Sequence, residues 1–172
     1  PKLFWDGKAN SIEEQVFHPV RAHDEMNLDW TIAEQRIRDN PLYPPMFRAA
    51  FGEAIIDSTL IAKSIAQFER TLISNNSKYD KVLKGRAYFT PDEFEGFVLV
   101  NDQSMGNCLQ CHITDGHALG TNAKFSNNGI SPIFKLEDYE DKGLGGISGR
   151  VQDYGHFKIP SLRNIAVTAP YM

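Results

Sequence analysis

The clearest periodicity in the chain begins near Ser58. Ile61, Ile65, Phe68 and Leu72 recur at three- to four-residue spacing, which predicts a helix with one buried apolar stripe. The polar run SNNSKYD ends it. Shorter helical signals lie upstream. Ser11–Val16 reads as a short helix, with Ser11 as N-cap and Glu14 completing a capping box. Thr31 to Asp39 predicts a second, with Pro41 just past its end. Pro44 and Pro45, followed by Met46, Phe47, Ala50 and Phe51, predict a third that starts on prolines and stops at Gly52. TPDEFEGFVLV begins another, with Thr90 as N-cap, Pro91 at the first helical position and Glu93 closing a second box.

From His112 the pattern changes. Gly, Asn, Asp and Ser dominate as far as Gly155, and no long periodic stretch follows. So long an irregular run in a compact domain needs something to organise it, and a large prosthetic group would do so. The expected fold is mainly α, with a boundary that divides the chain into residues 1–85 and 86–172.

Composition adds bounds rather than chemistry. The sequence has 172 residues, 41% of them hydrophobic and 23% charged, which suits one globular domain or a little more. A net charge of −4 argues against nucleic acid as a partner. No apolar run approaches the ~20 residues that span a bilayer. The chain begins at Pro1 without an initiator Met, so a leader and more are expected to precede it.

The chemistry concentrates in GNCLQCH, which holds the only two cysteines, Cys108 and Cys111, with His112 directly after. Four readings compete. A disulfide between the cysteines would close a very small loop and constrain the unfolded chain little. A redox dithiol calls for a βαβ context, whereas a helix and a Gly/Asn-rich loop flank this motif. A zinc site would need Cys108, Cys111, His112 and His117 together, but adjacent Cys111 and His112 diverge. A c-type haem uses all three motif residues: the thiols add across the two porphyrin vinyl groups, and the imidazole ligates iron. The motif favours the haem, and covalent haem implies an oxidising, periplasmic compartment.

Two further stretches carry a family resemblance. LFWDGKANSIEEQVFHPVRAHDEM (Leu3–Met26) and FKIPSLRNIAVTAPYM (Phe157–Met172) closely resemble the bacterial di-haem cytochrome c peroxidases, a family that includes the MauG-type enzymes. TLISNNSKYDKVLKG is similar to the segment between that family's helices, so the resemblance covers essentially the whole chain. It implies two cytochrome-c-like helical domains with one haem each. The N-terminal haem reduces hydrogen peroxide, the C-terminal haem accepts electrons from a small c-type cytochrome or cupredoxin, and a calcium ion sits between the domains.

Residue by residue, the resemblance assigns Cys108, Cys111 and His112 to the electron-accepting haem. Trp5 matches the electron relay between the haems, and Gln15 and Glu25 match the polar pair above the peroxidatic iron. Thr168 and Pro170 match positions whose backbone carbonyls bind calcium. Residues 1–85 would complete the N-terminal domain and the inter-domain region, and 86–172 would form most of the C-terminal haem domain. A homodimer is allowed.

The departures bear on function. There is no second CxxCH, Lys8 stands where Arg is commoner, and the chain stops before the position of the usual methionine ligand. The sequence is thus expected to be an internal stretch of a larger di-haem protein, inactive alone. Two rivals remain: a MauG-like oxidase of a protein substrate, and a non-catalytic electron-transfer cytochrome. Without the resemblance, Trp5 would read as core, Gln15 and Glu25 as surface, Met46 and Met105 as packing, and His18, His23, His117 and His156 as solvent-facing or capping residues.

Overall fold

The computed structural model describes residues 2–52, 55–113, 120–130, 135 and 138–171. His117 and Met172 lie outside them. The expected mainly α architecture is present: α1 (Ile12–Arg21), α2 (Trp30–Asp39), α3 (Tyr43–Phe51), α4 (Ser58–Glu69), α5 (Lys78–Leu83), α6 (Pro91–Asn101) and α7 (Leu144–Ser148), with strands β1 (Phe125–Ser126) and β2 (Phe157–Lys158). The contacts divide the chain into two compact units. One holds the residues up to Phe4 together with Lys8–Leu72; the other holds Trp5–Gly7 and the chain from Ile73 onward.

In the first unit α1 packs on α4, and α2 on both α3 and α4. Their core is Val16, Val20, Trp30, Ile56, Ile61 and Ala62, flanked by Phe17, Leu28, Ala33, Ile37 and Phe47. Full burial of each large side chain stabilises by about 1.5–3 kcal/mol. Phe17 and Trp30 rings meet at 4.9 Å. The N-caps follow the sequence signals, with one refinement. The Ser11 hydroxyl accepts from the Glu14 N–H at 3.1 Å, but the Glu14 carboxylate accepts from the Asn10 N–H at 2.8 Å, one residue before the cap. α1 also runs on through Pro19 to Arg21, beyond the predicted end at Val16.

The stripe expected on α4 is only partly buried. Ile61 is 8% exposed, whereas Phe68 and Leu72 are 62% and 66% exposed. The buried arc instead runs from Ile61 through Ala62 to Ala66, both alanines being sealed. Phe68 falls at the edge of that arc, and Leu72 lies past the end of α4. Met46 and Met105, expected as packing residues, are likewise exposed.

The second unit contains a helix the sequence hid. α4 ends at Glu69, short of SNNSKYD, and that run instead starts α5, because Ser77 and Asp80 form a complete capping box. α6 begins with the second box, Thr90 with Glu93. Tyr79, Phe89 and Phe97 meet as tilted rings, Phe89 and Phe97 at 5.4 Å. The irregular run is held by a few cross-chain bonds. β1 pairs antiparallel with β2, placing Phe125 opposite Lys158. The Thr121 hydroxyl donates to the Ile159 carbonyl at 2.7 Å. Buried Asp153 accepts from the Ser148 hydroxyl at 2.6 Å and from Arg150 Nε at 2.8 Å.

Candidate functional site

α6 delivers the chain to the cysteine motif. The carbonyl of Asp102, its C-cap, accepts from the N–H groups of Met105, Gly106 and Asn107, which turns the backbone sharply. At Gly106 a side chain would not fit: a Cβ there would lie 2.8 Å from the Leu99 carbonyl oxygen and 3.0 Å from Cys108 Sγ. Asn107 then takes a left-handed conformation (φ 49°), and Cys108–Gln110 wind one 3-10 turn.

That turn places the three motif residues. The Cys108 carbonyl accepts from the Cys111 N–H at 3.2 Å and from the His112 N–H at 2.9 Å. Both thiols are free and half-buried, so the disulfide reading does not hold. Among the described residues no three His, Cys, Asp or Glu side chains gather to hold a metal, which leaves the zinc reading without support; His117, its fourth proposed ligand, lies outside them.

The decisive contact is on the imidazole. His112 Nδ1 lies 3.0 Å from the Gly120 carbonyl oxygen. A carbonyl only accepts, so Nδ1 carries the proton and Nε2 keeps its lone pair. Metal-binding histidines are held in this way by a backbone carbonyl, which fixes the tautomer and raises the basicity of the free nitrogen. Asn122 ties the same segment to the motif, its N–H donating to the Cys111 carbonyl at 3.0 Å and its amide to the Gln110 carbonyl at 3.1 Å. Two free thiols separated by two residues, followed by an imidazole with an available Nε2, fit a covalently attached haem.

Gly120 also borders a cavity of about 560 Å³, walled by Tyr79, Phe89, Phe97, Leu162 and Ile165, with Arg163 at its polar margin. Arg163 Nη1 donates to Asp80 Oδ2 at 2.6 Å. The Arg163 hydrogen bond, followed by the Ser77 hydroxyl, holds the Asp80 carboxyl well below the usual carboxylate range. Sequence reasoning singled out none of Gly120, Asp80 or Arg163. Gly120 resembles every other loop glycine, and the ion pair spans 83 residues.

The other assigned residues are spread over both units. Trp5 is 62% exposed and so is not core; its carbonyl accepts from the Lys158 N–H at 2.8 Å, which anchors its backbone to β2. Gln15 is half-buried on α1. Glu25 is exposed in the turn that follows α1, where its N–H donates to the Ala22 carbonyl at 3.1 Å. The Thr168 hydroxyl donates to the Asn164 carbonyl at 3.1 Å and also meets the Tyr171 hydroxyl. Thr168 and Pro170 are both exposed.

Comparison with known proteins gives a consistent result. The profile of the family described as di-haem cytochrome c peroxidase matches residues 1–88. Cytochrome c551 peroxidase of Nitrosomonas europaea is 35% identical over 98% of this chain and 48% of its own length. The methylamine utilization protein MauG of Methylophilus methylotrophus is 32% identical over 99% of this chain and 49% of its own. Among solved structures, a MauG-like protein associated with microbial copper homeostasis superposes with a TM-score of 0.83 at 30% identity, covering 99% of this chain and 54% of that one. The chain therefore spans about half the length of the relatives it matches.

Proposed function

The chain belongs to the di-haem cytochrome c peroxidase family, and from that membership we propose that it is part of a protein that reduces hydrogen peroxide to water. Its own share is the electron-accepting haem c on Cys108, Cys111 and His112, supplied by a small c-type cytochrome or cupredoxin. The observation that carries this reading is the His112 Nδ1 to Gly120 carbonyl contact of 3.0 Å, beside two free thiols. Bound there, haem would supply a one-electron couple stable in both oxidation states, which no side chain offers. Covalent attachment places the protein in the periplasm.

The residues divide the remaining work. Cys108 and Cys111 tether, and His112 Nε2 ligates. Trp5 relays electrons from this site toward the peroxide; its exposed ring and anchored backbone suit a group that contacts a neighbouring surface. Gln15 orients peroxide through its amide. Glu25 takes the proton from one peroxide oxygen and returns it to the other, which lowers the barrier to breaking the bond between them. The carbonyls of Thr168 and Pro170 donate to calcium, a cation that takes six to eight such oxygen ligands, so the rest come from elsewhere.

A second reading, a MauG-like oxidase of a protein substrate, is favoured by MauG relatives almost as similar as the peroxidases. One experiment addresses both. The full-length protein, expressed with a haem-attachment system, is given peroxide together with a reduced c-type cytochrome. Peroxide-dependent oxidation of that donor supports the peroxidase. Peroxide consumption that oxidises only an added protein substrate supports the second reading, and consumption of neither overturns both in favour of a plain electron-transfer cytochrome.

A further inference from the structure

We propose that Gly120 and Leu162 act together as a lock that positions the His112 imidazole, so that the FKIPSLRN segment sets the electronic character of the iron ligand. This deepens the assignment of His112 as that ligand and rests on it. Three observations meet at Gly120. Its carbonyl oxygen lies 3.0 Å from His112 Nδ1 and accepts that nitrogen's proton in a hydrogen bond. Its backbone is left-handed, φ +71°, a conformation that side chains disfavour. A Cβ there would lie 2.7 Å from Leu162 Cβ and 2.8 Å from the Leu162 N, a backbone atom that cannot swing aside.

The neighbours make the position rigid. Thr121 donates to the Ile159 carbonyl at 2.7 Å, Ile159 N–H donates to the Lys124 carbonyl at 2.9 Å, and Asn122 N–H donates to the Cys111 carbonyl at 3.0 Å. Residues 120–124 are thus clamped between the 159–162 segment on one side and the cysteine turn on the other. Because the clamp is direct, a shift of Leu162 moves the Gly120 carbonyl, and that carbonyl sets how strongly Nδ1–H is bound. A stronger bond makes Nε2 more basic and stabilises ferric over ferrous iron; a weaker one does the reverse. Gly120 and Leu162 are positioning residues that never touch iron.

The test uses full-length, haem-loaded protein, with covalent haem at Cys108 and Cys111 confirmed first by mass; its absence refutes the haem assignment rather than the lock. Gly120→Ala is compared with Gly129→Ala, which has the same φ of +71° but nothing within 4 Å of its Cβ. With haem attached in both, Gly120→Ala should raise the midpoint potential of this haem and shift the hyperfine-shifted proton resonances of the His112 ring in the ferric protein, while Gly129→Ala leaves both unchanged. Leu162→Ala should move them in the same direction by less, and it decides the matter if Gly120→Ala yields no holoprotein. Unchanged potential and ring resonances in Gly120→Ala, or in Leu162→Ala where only that variant is recovered, overturn the proposal. So does an equal shift in Gly129→Ala.

Discussion

Arg163 Nη1 and Asp80 Oδ2 are 2.6 Å apart although 83 residues separate them in sequence. The pair joins α5 to the segment that follows β2, and Asp80 doubles as the acidic half of the α5 capping box. One carboxylate thus closes a helix start and a long-range contact within the second unit.

Acid should therefore act on this unit through Asp80. The Arg163 bond and the Ser77 hydroxyl depress its folded pKa below the ordinary value of 3.8. A depressed carboxyl contributes stability above its unfolded pKa and loses it as pH falls toward the folded one. Thermal midpoints of the wild type should fall as pH drops below about 4, the ordinary aspartate range. In Asp80→Asn the midpoint should be lower at neutral pH and the acid-dependent fall shallower. An unchanged acid limb in that variant would count against the assignment.

His112→Ala separates tethering from ligation. In haem-attached preparations the two thioethers should persist and intact mass should still show one added haem. The absorption spectrum should lose its histidine-ligated form. Cys108→Ala and Cys111→Ala should each leave at most one thioether, read as a shifted pyridine haemochrome band.

Glu25→Gln and Trp5→Ala should fail at different steps in the full-length protein. The glutamine variant loses the group that moves the proton and should react with peroxide roughly 10²–10⁴ more slowly, with donor-driven reduction near normal. The alanine variant should keep its peroxide binding and slow transfer between the haems. Stopped-flow traces resolve the two, and a wild-type peroxide rate in Glu25→Gln refutes that residue's role.

Packing on α4 predicts an asymmetry between neighbours. Ala66, fully buried, leaves no room, so Ala66→Leu should destabilise by about 1–3 kcal/mol. Phe68→Ser, two residues on and 62% exposed, should stay within about 0.5 kcal/mol in this chain. Denaturant midpoints of the two variants make the comparison.

Much of this protein was written locally. Helix starts at Ser11 and Thr90 were legible because a cap acts within one turn: a hydroxyl and a carboxylate three residues apart satisfy backbone N–H groups wherever the helix later packs. The cysteine motif was legible as a candidate site, since two thiols and an imidazole within five residues narrow the chemistry, although the flanking helix and loop were needed to set the dithiol reading aside. What packing decided was not visible. The apolar residues of α4 form a band wider than the face that becomes buried, so the sequence could not tell that Ala62 and Ala66 would be sealed and Phe68 exposed. SNNSKYD looked like a terminator because its polar residues serve ends and starts alike; Arg163, arriving from the far end of the chain, meets the Asp80 that caps α5 there. The Gly120 carbonyl that fixes the His112 tautomer is a backbone group, and every residue has one. Only the folded path of the chain decides which carbonyl reaches the imidazole.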